Sequence, residues 1–214
     1  MGIVLCILIG LIGLIVGELS NIVVFRFIKK KELNYINFSR VMTIILNAFL
    51  FFYAARIERS GSFSILIFQL AFITILLILA KIDWKIYRLP DIFTFSLLGI
   101  GIISAFEVNS GAESIKIAFV LAGFFGLIAL ICPKGMGLGD VKLIAALGAF
   151  LGFEKVILAI FIASISGSII GVVIAIVKQQ SLKRQIPFGP FLATGAIISL
   201  FWGEMLISYY FALF

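Results

Sequence analysis

The sequence predicts an all-α, polytopic integral membrane protein with about eight transmembrane helices. Two observations carry that reading. Of the 214 residues, 63% are hydrophobic and only 13% are charged. The apolar segments also repeatedly reach the roughly 17–25 residues that cross a bilayer as a helix. The alternation of polar and apolar residues that a transmembrane barrel requires is missing. No polar stretch is long enough to form a soluble domain.

The first helix is expected at about 2–26. The run from Ile3 to Val16 has no basic segment before it, and Glu18-Leu19-Ser20-Asn21 leads straight into more apolar sequence. It therefore reads as a retained helix and not as a cleavable signal. A second, short helix is expected at 41–56, after the longest polar stretch, and a third at 63–81. Pro90 biases Leu89 toward extended backbone, which separates the third helix from a fourth at 91–107. Pro90 then suits the first turn of that fourth helix, with Asp91 at its positive end. A fifth helix is expected at 115–132, and a short sixth at 140–152 after a glycine-rich loop. The seventh and eighth are expected at 155–177 and 188–213. Gly123, Gly126, Gly167 and Gly171 have the small-residue spacing of close helix contacts. The expected division is an N-terminal two-helix region, 1–62, and a six-helix core, 63–214.

The formal charge is +7. In a membrane protein, basic loops orient helices, and this is preferred here to nucleic-acid binding. With eight spans and an outward N-terminus, only Arg56, Arg59, Lys116 and Lys155 fall outside, which leaves 13 of the 17 Lys and Arg residues cytoplasmic. Both termini are then extracytoplasmic.

The same topology puts two acids on the cytoplasmic face: Asp83, at the end of the third helix, and Asp140, at the start of the sixth. They lie 57 residues apart (140 − 83) in a chain with ten acidic residues and no histidine. An ionisable group at a bilayer costs at least a few kcal/mol and points to function. Without histidine, Ser-His-Asp and Cys-His catalysis are excluded, as is a His-rich metal site. Cys6 and Cys132 are single residues, so neither a zinc knuckle nor a redox pair is available. The simplest remaining chemistry is that of a carboxylate pair. Locally, Asp140 reads as a helix N-cap after Gly135-Met136-Gly137-Leu138-Gly139, glycines that permit unusual backbone angles or close approach. Asp83 sits where the helix macrodipole disfavours an anion. Lys81, Lys85 and Arg88 could neutralise it and anchor the interface. The competing class is an ion- or proton-coupled transporter using the two acids, which would call for inverted repeats, and none is visible.

Four stretches resemble the type IV prepilin leader peptidases, membrane aspartic proteases of the GxGD class. They are Asp83 with Pro90-Asp91; Gly137-Leu138-Gly139-Asp140-Val141-Lys142; Ile186-Pro187-Phe188-Gly189-Pro190-Phe191-Leu192; and Gly17-Glu18-Leu19-Ser20-Asn21 through Arg26. The resemblance implies cleavage of a short basic prepilin or pseudopilin leader after a glycine, in a bacterial inner membrane, with the active site facing the cytoplasm. Asp83 and Asp140 match the catalytic aspartates, and Gly137, Gly139, Lys142 and Asp91 are supporting residues. Neither metal nor cofactor is implied for peptide cleavage. The partners implied are the prepilin and the lipid bilayer, with no nucleic acid; oligomeric state is left open.

Many members of the family also methylate the new N-terminus with S-adenosylmethionine, and carry two CxxC pairs in the first cytoplasmic loop. Here that loop is about Phe27–Arg40 and holds no cysteine, so no zinc site is expected. Glu18 replaces the usual serine, while Asn21 and Arg26 remain, which leaves methylation open. Glu18 is expected to pair with Arg26 or a nearby lysine.

Overall fold

The computed structural model describes residues 3–28, 33–57, 62–107, 110–132, 135–177 and 186–213. Among them are eight α-helices and no strand: α1 (Ile3–Phe27), α2 (Leu33–Ile57), α3 (Phe63–Ile86), α4 (Asp91–Glu107), α5 (Gly111–Ile131), α6 (Leu138–Leu151), α7 (Phe153–Val177) and α8 (Gly189–Ala212). Lys29, Lys30, Lys31, Arg59, Lys134, Lys178, Lys183 and Arg184, which entered the charge asymmetry, lie outside the described residues.

Among the described residues, six helices are long and apolar enough to cross a membrane: α1, the Ser39–Ile57 part of α2, α3, α5, α7 and α8. The other two, α4 and α6, have 17 and 14 residues, or about 25 and 21 Å against an apolar bilayer core of about 30 Å. The sixth helix is short as expected, but the second is not. It starts at Leu33 and runs 25 residues, because residues 33–40 contain no glycine or proline to stop it. The third helix continues past Lys81 to Ile86, so Asp83 lies within it.

The chain forms two compact units, Met1–Ile86 and Tyr87–Phe214. This is a division by packing, distinct from the functional boundary expected between residues 62 and 63. In the first unit, α1 and α2 run antiparallel at very close range. A Cβ added to Gly13 would lie 2.8 Å from Ala48 Cα, and one on Gly17 would lie 2.7 Å from Ile44 Cα. Lipid tails are as apolar as leucine, so such close backbone contact, more than hydrophobic exclusion, holds membrane helices together.

In the second unit α6 is central. Nine of its residues are buried, from Val141 to Leu151, and it packs on α4 and α5. A helix apolar on every side belongs inside protein. The α4 and α6 helices run parallel: Asp91 meets Lys142 at one end and Gly101 meets Phe150 at the other. The buried Ser114 hydroxyl of α5 donates to the Ala149 carbonyl. The α7–α8 pair is antiparallel, with Gly195 against the Ala159 carbonyl and Gly167 and Gly171 against Phe191 and Ile186. A Cβ on Gly123 or Gly126, by contrast, would meet nothing within 4 Å, so those two glycines are not contact points among the described residues.

Candidate active site

Asp140 is carried by the first turn of α6. The N-cap is Gly137, not Asp140: Gly137 has extended backbone (φ −77°, ψ 144°), and its carbonyl accepts the Asp140 N–H at 3.0 Å and the Val141 N–H at 3.3 Å. Asp140 is thus the third helical residue, where the positive end of the helix favours a carboxylate. Neither Gly137 nor Gly139 has positive φ, so neither supplies an unusual backbone angle. A Cβ on Gly137 would lie 3.4 Å from Asp140 Oδ2, and one on Gly139 would lie 3.2 Å from Leu89 Cβ. The missing side chain at Gly139 lets Leu89 lie against the turn that bears Asp140.

That segment also sets α4. Pro90 precedes the helix instead of standing in its first turn, and its carbonyl accepts the N–H groups of Phe93 (3.1 Å) and Thr94 (3.4 Å). Asp91 opens α4 as expected, and its Oδ1 accepts a hydrogen bond from Lys142 Nζ at 2.7 Å. The same ammonium lies 5.5 Å from the Phe95 ring centroid. The N-terminal ends of α4 and α6 are therefore tied together two residues from Asp140. The pair is exposed, so its own stabilisation is about 0–1 kcal/mol.

Asp83 is buried in α3, three residues before the helix ends. The helix stops because Tyr87 adopts left-handed backbone (φ 54°). Glycine usually fills such a position, and a residue with a Cβ is strained there by about 1–2 kcal/mol. Tyr87→Gly is expected to raise stability by up to about 1 kcal/mol, read as a higher thermal midpoint in detergent; an unchanged or lower midpoint would deny the strain.

Lys81 does not simply neutralise the end of α3. Its Nζ donates to Asn21 Oδ1 at 2.6 Å and to the Ser39 carbonyl at 3.1 Å. Asn21 Nδ2 donates to the Arg40 carbonyl at 3.2 Å and to Glu18 Oε2 at 3.5 Å, and Arg40 pairs with Glu18. Among the described residues the ion-pair partner of Glu18 is therefore Arg40, where Arg26 or a nearby lysine was expected. Glu18, Asn21, Arg40 and Lys81 thus form one hydrogen-bonded cluster. Among the described residues no group of three or more His, Cys, Asp or Glu side chains could hold a metal ion.

Sequence reading missed Arg40 and the true partners of Lys81. The available signal was spacing: residues two apart on a helix point about 200° apart, so Lys81 and Asp83 could not share a partner face.

Comparison with known proteins adds three findings. The model of the type IV leader peptidase family matches residues 70–172, a segment that contains Asp83, Asp91, Gly137, Gly139, Asp140 and Lys142. The chain is 37% identical over 154 residues to the prepilin leader peptidase/N-methyltransferase of Legionella pneumophila, covering 68% of this chain and 53% of that protein. It is 33% identical over 145 residues to the protein of the same name from Aeromonas hydrophila (64% and 49% covered) and 34% identical over 142 residues to that of Pseudomonas aeruginosa (63% and 49%). The chain spans about half the length of the curated relatives it matches. No solved structure matches it.

Proposed function

Because the chain belongs to the type IV leader peptidase family, we propose that it cleaves the leader of a type IV prepilin or pseudopilin after a glycine, at the cytoplasmic face of a bacterial inner membrane. Asp83 and Asp140 act as a pair. Two carboxylates that share a site cannot both ionise cheaply, so they hold one proton between them. Asp140 is cast as the ionised member because it occupies the positive end of α6. It takes a proton from water as that water attacks the scissile carbonyl. Asp83 donates a hydrogen bond to the carbonyl oxygen, and a proton is returned to the leaving amine. No covalent intermediate is required.

The observation that carries this reading is the first turn of α6, where Asp140 sits at the positive end of the helix and Gly139 lies close against Leu89, inside the family-matched segment. Co-expression with a prepilin and N-terminal sequencing of the product tests it: a new terminus immediately after the glycine is expected. An uncut precursor in membranes containing the protein would refute it.

The glycine clearance has its own test. Alanine at Gly139 must displace Leu89 by a few tenths of an ångström. Gly139→Ala is expected to lower the cleavage rate about tenfold while thermal stability stays near that of the wild type, since small misplacements of reacting groups cost this much. Full activity would show that the Leu89 contact is irrelevant to the site.

A further inference from the structure

We propose that Lys81 is the positioning residue for Asp83, an inference that rests on the peptidase reading above. Asp83 occupies the last turn of α3, where backbone carbonyls lose their helical partners and a helix frays most readily. Lys81 lies on the opposite side of that turn. Its ammonium makes two charge-assisted hydrogen bonds, one to a side chain of α1 and one to the backbone of α2. The α1 partner, Asn21, is itself 5% exposed and donates to Glu18 Oε2 and to the Arg40 carbonyl, two residues that pair with each other. Three helices thus converge on one lysine, two residues before the acid.

The consequence is geometric. A turn of α3 that is free to rotate or slide along its axis would carry Asp83 with it. Tying Lys81 to both neighbouring helices fixes the rotation and height of the turn, and with them the direction in which Asp83 points. The corresponding lysine on α6, Lys142, also stands two residues from its aspartate and ties that helix to α4. Each acid is therefore steadied by a lysine on its own helix that bonds away from it.

The test is steady-state cleavage of a prepilin by the full chain in nanodiscs across pH. Lys81→Met should lower kcat about 10–100-fold with KM changed less than about twofold, the size of effect expected from misplacing a reacting group. Both limbs of the pH profile should stay in place, and Lys81→Arg should recover most of the rate. Asn21→Leu should match Lys81→Met, and the double variant should be no slower than either single one, because the two side chains share one interaction. Unchanged kcat in Lys81→Met would overturn positioning, as would additive losses in the double variant. A shifted pH limb with full kcat at the new optimum would also overturn it, because that marks a purely electrostatic role for the charge. Should Lys81→Met fail to accumulate in membranes, Lys81→Arg and Asn21→Leu decide: near-normal and impaired rates respectively support positioning, and any other combination rejects it. Wild-type protein that leaves prepilin uncut would bring down the peptidase reading and this inference together; wild-type cleavage with unaffected variants brings down this inference alone.

Discussion

Asp83→Asn and Asp140→Asn should each leave prepilin essentially uncut, with rates at least about 10³-fold below wild type, while the protein still accumulates in the membrane. Both substitutions preserve shape while removing the ionisable group and its negative charge, so the loss should fall on chemistry. General acid–base catalysis is worth about 10²–10⁴-fold per group, and two acids that share one proton cannot substitute for each other. The fold should survive because nine buried residues between Val141 and Leu151 hold α6. Quantitative immunoblotting of precursor and mature pilin, alongside membrane levels of each variant, measures this. Normal processing by either variant would remove that aspartate from the mechanism.

Gly101→Leu should have an effect of comparable size by a different route. A Cβ at residue 101 would stand 2.9 Å from the Phe150 nitrogen, 3.0 Å from Ala149 Cβ and 3.1 Å from the Ala149 carbonyl carbon. The obstruction is mostly backbone, which no rotamer change relieves. Overpacking of this kind costs about 1–3 kcal/mol and occasionally more. Here it would also pry α4 from α6, disturbing the Ser114 bond to Ala149 and the Asp91–Lys142 tie. Cleavage should be lost together with much of the folded protein. Gly99, two residues earlier in α4, is the control position, because a Cβ there meets nothing within 4 Å. Gly99→Ala should be neutral or slightly stabilising, since alanine is about 1 kcal/mol better than glycine in a helix interior. Thermal unfolding in detergent separates the two; equal behaviour of the Gly99 and Gly101 variants would contradict the packing described for α4 and α6.

Much of this was legible in the sequence. Pro90 marked the start of α4, and the helix occupies 91–107 as expected. Asp83 and Asp140 stood out because few other charges interrupt long apolar runs. Other features depend on contacts that local pattern does not encode. Lys81 bonds to groups 60 and 42 residues away, so its role needs three helices to be assembled first. Asp140 looked like a cap because aspartate favours that position, yet the backbone turns at Gly137 and carries Asp140 into the helix. Tyr87 ends α3 in a conformation that glycine normally fills, so nothing in its residue type announced the turn. The N-terminal part of α2 read as a polar loop because its composition is mixed, although no residue in it breaks a helix.

The proposed pairing of Asp83 with Asp140 is tested most directly by cross-linking cysteines placed at these two positions, with Cys6→Ala and Cys132→Ser removing the native thiols. Thiols on a pair of positions that share one water should be bridged by oxidation or by a reagent only a few ångström long, because a disulfide itself needs Cα atoms within about 7 Å. The bridge should form in native membranes, and prepilin should alter its yield by occupying the site between the two positions. A doubly substituted protein that is present at normal levels, reacts with monofunctional thiol reagents at both positions, and yet is never bridged, with or without prepilin, would contradict the catalytic pair.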